Sequence, residues 1–301
     1  MPVLYSFFDR DGGLRLDGFE QQVAHCREND ADGVVLFGFV TQFYRLTFDE
    51  KVRAIEVTSR AMAGKGTLGV TVMEATVEGQ VALVRAAEKA AADWIILQPP
   101  LGPPNAPGLW LEMLGQVAAS TDLPVAVQNA TVAGTTLSIE QLLDLQDRHP
   151  NVCLCKAETA SEDVARFGRE FSERFRVITG NWGVEYPFFR QNGAHGLIPA
   201  PNFVAEQVAI HRATEAGGAG LSEALRVHSG ILPLMQFIRE RPPVEAQLIL
   251  GKHAYGRRTG FDPGGNRLPG PQTIDPAVRA HLEFLCDELH QWVARANIEA
   301  A

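Results

Sequence analysis

Basic residues are in the minority here: 27 Lys and Arg stand against 36 Asp and Glu, a formal net charge of -9, and they form no cluster. A nucleic-acid or anionic-membrane surface needs a basic patch, so neither is expected as a partner. Cysteine is also scarce. Cys26, Cys153, Cys155 and Cys286 make no disulfide framework, and Cys153-x-Cys155 lies in a β-rich run rather than a metal-binding knuckle, so free thiols are expected. None of the eight histidines forms a His-x-x-x-His pair or clusters with Cys or Asp at ligand spacing; no metal and no other cofactor is expected. No apolar run reaches the roughly 18 residues that a membrane span requires, and no charged-then-apolar leader opens the chain, so a cytoplasmic protein is expected. Nucleotide and esterase signatures are missing too. No G-x-G-x-x-G follows the first β-rich run, no Gly-x-Ser-x-Gly elbow occurs, and Gly64-Lys65-Gly66-Thr67 lacks the upstream glycine of a phosphate loop.

What is present is a regular alternation. Short β-rich runs are each followed by a longer amphipathic stretch, the pattern of a parallel sheet with crossover helices. The runs are Val3 to Phe8, Gly33 to Gly38, Thr67 to Val72, Asp93 to Gln98, Pro124 to Gln128, Asn151 to Lys156, Arg176 to Gly180 and His195 to Pro199. Asp17 is read as a helix cap, and Thr47-Phe48-Asp49-Glu50 as a helix start with a capping-box glutamate. Eight units in roughly 217 residues suit a closed (β/α)8 TIM barrel of the α/β class better than an open sheet. Beyond that point the pattern is helical only, so residues 1–217 are read as the barrel and 218–301 as a C-terminal helical appendage.

Chemistry in such a barrel lies at the C-terminal strand ends. The stretch Asn151 to Thr159 ends an apolar strand on a lysine and then a glutamate. Alternation puts Val152, Leu154, Lys156 and, if the strand continues, Glu158 on one face. A desolvated amine there is a nucleophile for a ketone, with a carboxylate beside it; the other reading is a lysine that reaches solvent and pairs with Glu158. Polar amides end other strands. Gln98 closes strand four, Gln128 and Asn129 close strand five, and Asn181 follows Gly180 before Trp182. These either bind a hydroxylated substrate or serve as turn formers and satisfied barrel polar groups.

The order of elements and the lysine on strand six resemble the dihydrodipicolinate synthase and N-acetylneuraminate lyase superfamily of Schiff-base barrels, over nearly the whole chain. Members typically carry Gly-Thr-Thr-Gly-Glu after strand two and Tyr-Asn-x-Pro after strand five. Here the first reads Gly38-Phe39-Val40-Thr41-Gln42 and the second Gln128-Asn129-Ala130-Thr131, so the proton-relay tyrosine is replaced by Gln128. The tyrosine after strand four is also lost, near Leu101, and the arginine for the synthase's second substrate falls at Ala133. The departures are similar to the L-2-keto-3-deoxyarabonate dehydratase branch, in Val127-Gln128-Asn129-Ala130, Gly134-Thr135-x-Leu137-Ser138, Lys156-x-Glu158-Thr159, Gln42-Phe43 and Trp182.

The resemblance implies a carbon-oxygen lyase that dehydrates a 2-keto-3-deoxy sugar acid, with Lys156 forming the imine and Glu158 acting as base and acid. It further implies that Phe39, Val40, Thr41, Gln42, Gln128, Asn129, Gly180, Asn181, Trp182 and Pro199 surround the substrate, and that the chain forms a homotetramer or a dimer. Three other activities compete: a pyrroline-4-hydroxy-2-carboxylate deaminase, a retro-aldol keto-acid lyase, and a barrel without catalysis that binds sugar acids.

Overall fold

The computed structural model describes residues 1–98, 107–131 and 136–295. Seven parallel strands form one sheet in sequence order: β3 (Gly33–Leu36), β4 (Thr67–Val72), β5 (Trp94–Leu97), β6 (Val125–Ala130), β7 (Val152–Glu158), β8 (Arg176–Thr179) and β9 (Gly196–Leu197). The N-terminal residues close the ring. Val3 bridges Val35 in parallel, and the Leu4 N–H donates to the Val35 carbonyl at 2.9 Å. On the other side the Val3 N–H donates to the Pro199 carbonyl at 2.8 Å, and the Met1 amine to the Leu197 carbonyl at 3.1 Å. The architecture is therefore a (β/α)8-type barrel with a C-terminal helical extension, and the lysine strand, β7, is its sixth stave.

Each strand divides its side chains between two cores because successive residues face opposite sides. Val3, Val35, Trp94, Ile96, Ala126, Ile178 and Ile198 pack together inside the barrel. Their neighbours in sequence, such as Val34, Ile95, Val127 and Val177, face the helices. The interior accepts a tryptophan because β4 offers Gly69 opposite it, where a Cβ would lie 2.6 Å from the Trp94 ring.

The first expected strand is corrected. Val3 to Phe8 does not run on as one strand; Phe7–Phe8 (β1) leaves the barrel and pairs antiparallel with Leu14–Arg15 (β2). The Asp9 carboxylate draws the turn together by accepting from the Asp11 and Gly13 N–H groups. The expected Asp17 cap is corrected as well. Leu16 occupies the N-cap of α1 (Asp17–Glu28) without a side-chain bond, and Asp17 sits in the first turn with its carboxylate on Arg15. Local code does hold at α2 (Phe48–Met62), where Thr47 and Glu50 form a full capping box, and at α5 (Ile139–Arg148), where Ser138 and Gln141 do the same. Each cap contributes about 1 kcal/mol by satisfying otherwise orphaned N–H groups.

The remaining crossover helices are α3 (Val77–Lys89), α4 (Pro107–Ala118), α6 (Ser161–Phe171), α7 (Tyr186–Gln191) and α8 (Val204–Glu215). Three helices follow: α9 (Gly218–Arg239), α10 (Val244–Thr259) and α11 (Pro276–Arg295). They share a second apolar core with α7 and α8, built on Tyr186, Phe203, Ile210, Ile231, Leu250 and Leu282. They also reach the barrel. Tyr5, at the end of the first stave, donates to Asn202 Oδ1 at 2.6 Å, and Asn202 Nδ2 donates to the Gly251 carbonyl on α10 at 2.6 Å. Only glycine fits at 251, since a Cβ would stand 2.2 Å from the Tyr5 hydroxyl. One residue on, Lys252 Nζ donates to Gln42 Oε1 at 2.5 Å and lies 4.9 Å from the centre of the Phe8 ring.

Lys252 is 2% exposed, and burial pushes its pKa down to about 7. Above that value the unfolded chain holds a proton that the native chain has shed, so this group makes stability rise with pH until the unfolded lysine also deprotonates; below it the full cost of burying the charge is present. Lys252→Met removes the cost. The variant's urea midpoint should gain on the wild type as pH falls from about 9 to about 6, whatever fixed offset the lost Gln42 contact adds. An offset that stays constant across that range would show that Lys252 is not buried as a titrating group.

Candidate active site

The site begins with the length of β7. Six of its seven residues pair with β6, as far as Ala130 opposite Glu158, so the chain is still extended where Lys156 and Glu158 emerge. Both side chains therefore face the barrel interior, above Leu154. The bulge at Cys153 corrects the expected face of Val152, which packs toward the helices while Leu154 faces in. Lys156 Nζ lies 3.2 Å from Glu158 Oε2, with the two side chains 10% and 15% exposed. An ion pair this shielded is held by geometry rather than by solvent.

Neighbouring staves fix the carboxylate. Gln128, directly opposite Lys156 on β6, donates from Nε2 to Glu158 Oε2 at 2.8 Å. From β8, the Asn181 N–H donates to Glu158 Oε1 at 2.9 Å, which the backbone achieves by a left-handed Asn181 (φ 50°) and Trp182 (φ 63°). Gly180 leaves the space for this. A Cβ there would stand 1.9 Å from Glu158 Oε1 and 3.2 Å from Lys156 Cε. The Asn181 side chain is held in turn by Arg239 at the end of α9, whose Nε donates to Asn181 Oδ1 at 3.0 Å.

The loop after β3 is built for backbone display. The Thr41 hydroxyl donates to the Leu4 carbonyl and accepts from the Phe37 N–H, while Ser6 holds the Thr41 carbonyl at 2.6 Å. Gln42 (φ 53°) turns the chain, and its side-chain oxygen is engaged by Lys252. The Thr41 and Gln42 N–H groups are spent on the Gly38 and Phe39 carbonyls, whereas those of Phe39 and Val40 find no acceptor among the described residues. Val40 packs on the interior cluster, and the Phe39 ring turns away onto Phe43 and Tyr44.

Lys156, Glu158, Gln128, Gly180 and Asn181 thus converge; other expected residues do not. Asn129 is turned outward by the alternation of β6, and both ends of its amide are bound to the Leu137 backbone. Pro199 likewise faces α8, between inward-facing Ile198 and Ala200, and its contribution is the carbonyl that closes the barrel. Trp182 packs beside Tyr5 and Gly251, with its carbonyl on Gln207. The positions read as departures at Leu101, Ala133, Gly134 and Thr135 lie outside the described residues.

Sequence reading missed Tyr5, Arg239 and Lys252, which support the site from the first and last parts of the chain. The signal for Lys252 was its spacing: it falls on the same face of α10 as buried Leu248 and Tyr255. Cys155, behind the lysine strand, is a buried thiol pushed up to about 12 by burial, which makes it inert at neutral pH. Among the described residues no three His, Cys, Asp or Glu side chains converge to hold a metal ion, and no helix is long and apolar enough to cross a membrane.

Known proteins share this arrangement of staves. The solved 4-hydroxy-tetrahydrodipicolinate synthase of Methylacidiphilum fumariolicum SolV superposes with a TM-score of 0.88 at 20% identity, covering 98% of this chain and 97% of that one. An N-acetylneuraminate lyase from Mycoplasma synoviae does so with a TM-score of 0.83, also at 20% identity, over 96% of each chain. In sequence, the 4-hydroxy-tetrahydrodipicolinate synthase of Methanosphaerula palustris is 28% identical over 268 residues, 85% of this chain and 90% of that protein. The corresponding synthase of Thermosynechococcus vestitus is 26% identical over 289 residues, 94% of each. The model of the dihydrodipicolinate synthetase family matches residues 1–253, through the barrel and into α10, and with Lys156 on the sixth stave the chain belongs to that family of Schiff-base enzymes.

Proposed function

We propose that the protein dehydrates a 2-keto-3-deoxy sugar acid through an imine on Lys156, as an L-2-keto-3-deoxyarabonate dehydratase does. The observation that carries this reading is the 3.2 Å contact between Lys156 and Glu158, with the non-titrating Gln128 in the position where synthases and sialic acid lyases place a tyrosine. A synthase or aldol lyase of this family needs that hydroxyl to move protons, and glutamine cannot replace it. Glu158 can.

Lys156 as the free amine attacks the C2 ketone, and loss of water gives the imine, an electron sink for the carbanion that forms at C3. Glu158 takes the proton from C3 and, now protonated, gives it to the C4 hydroxyl as that leaves as water. Water then hydrolyses the unsaturated imine, restoring the lysine and releasing the dehydrated keto acid; when the substrate is a pentonate this is an allylic alcohol, and loss of a proton from C5 with gain of one at C3 converts it, through the enol, to the semialdehyde. The N–H groups of Phe39 and Val40 hold the substrate carboxylate. Gly180 and Asn181 keep the base in place.

Lys156→Ala should abolish turnover and also the mass increase produced by borohydride with a 2-keto-3-deoxy acid. A labelled Lys156→Ala protein would move the nucleophile elsewhere.

Glu158→Gln keeps the size and much of the hydrogen bonding of the side chain, so the imine should still form and be trapped. Exchange of the C3 hydrogen with solvent and loss of water should both fall by roughly 10² or more. Dehydration near the wild-type rate by this variant, followed by the appearance of the unsaturated or aldehyde product, would take Glu158 out of the mechanism.

A further inference from the structure

We propose that Gln98 and Gln128 form a paired reader for one hydroxyl group on the substrate chain, and that Gln98 sets the preference for hydroxylated over plain 2-keto acids. The inference rests on the imine reading above and extends it to the part of the substrate beyond the reacting carbons. Its starting point is two orphaned atoms. Gln98 Nε2 and Gln128 Oε1 are buried without a hydrogen-bond partner among the described residues, in side chains of residues 3% and 4% exposed. Buried polar atoms are nearly always paired, so each unpaired one calls for a missing partner.

Both atoms belong to the barrel interior. Ile96 on β5 is opposite Ala126 on β6 and both lie in the interior core, so two residues further on Gln98 and Gln128 continue the same inward faces. Gln128 is opposite Lys156. Three neighbouring staves therefore carry a row of polar side chains, Gln98, Gln128 and Lys156, at the level where the imine forms.

The two amides offer different halves of a hydrogen-bonding partner. The orientation of Gln128 is fixed because its NH2 group faces the Glu158 carboxylate, which can only accept; its free atom is the carbonyl oxygen, an acceptor. The free atom of Gln98 is a donor. A carbonyl on the substrate would satisfy Gln98 alone and an ammonium Gln128 alone, whereas a hydroxyl accepts from one and donates to the other. A chain anchored on Lys156 that runs along the row toward β5 places a hydroxyl between them. A substrate without that hydroxyl leaves both amides unpaired, which is how a polar site rejects a deoxy analogue.

Gln98 gives the clean test because it has no bond to the catalytic pair, unlike Gln128. Borohydride trapping would be titrated with two probes, pyruvate and a 2-keto-3-deoxypentonate, on the wild type, Gln98→Met and Gln98→Leu. The expected result is wild-type trapping with both probes, an unchanged half-saturating concentration for pyruvate in the variants, and a rise of about tenfold for the pentonate. Two variants of different shape guard against a folding defect, and pyruvate trapping reports the intact imine site. Equal effects on both probes, or none on either, would overturn the assignment of Gln98. A wild-type enzyme that traps neither probe would instead overturn the imine reading and the hydroxyl reader with it, an outcome distinct from a change in selectivity.

Discussion

A lysine and a glutamate two residues apart can touch only if their strand stays extended beyond the lysine. β7 does so because β6 runs beside it to Ala130, while the staves β5 and β8 stop after four residues. This one long pairing places an amine and a carboxylate together inside a barrel. Two buried charges are costly apart, since each alone would be desolvated without compensation, and their proximity makes the arrangement tolerable. Everything around them preserves the contact. Gln128 arrives from one side at the level of Lys156, and the Asn181 N–H from the other.

The strand with the lysine was legible in the sequence because its signal is local, an apolar run ending in two charges of the same parity; only Val152 departs, since a bulge at Cys153 turns it toward the helices while Leu154 faces the interior. The barrel was legible for the same reason, as a repeat of short β-rich runs and amphipathic stretches. Errors arose where one local rule was applied without the next. Reading Gln128 and Asn129 as a joint polar end of strand five ignored that the strand continues, so alternation sends the first inward and the second onto Leu137. Pro199 fails in the same way between Ile198 and Ala200. The break after Val3 was hidden because Phe7 and Phe8 are good strand formers in either partner arrangement.

The support from α9 and α10 was not legible, because the contacts join residues far apart in the chain. Lys252 meets Gln42 across 210 positions, and Asn202 meets Gly251 across 49. Residue 251 must lack a side chain for α10 to approach Tyr5, and that closeness in turn brings Lys252 to the loop that displays the Phe39 and Val40 N–H groups. The helical extension is therefore part of the site's scaffold. Arg239 makes the same point from α9, fixing the asparagine whose backbone holds the carboxylate.

In the proposed dehydration, with no titrating side chain at position 128, a single carboxyl group removes one proton and delivers it to a leaving group nearby. That economy works only if the group does not reorient between the two steps, since freedom lost in advance is a barrier avoided later. Glu158 meets this condition through unequal use of its oxygens: Oε2 faces Lys156 and Gln128, whereas Oε1 accepts from Asn181. Neither oxygen can rotate without breaking a bond to a different stave. Gly180 completes the constraint, because any side chain there would occupy the position of Oε1 and push the carboxylate off the lysine. Under that proposal the glutamine at position 128 and the clamping of Glu158 are two parts of one solution, since Gln128 moves no proton itself but helps three neighbouring staves hold the carboxylate that does.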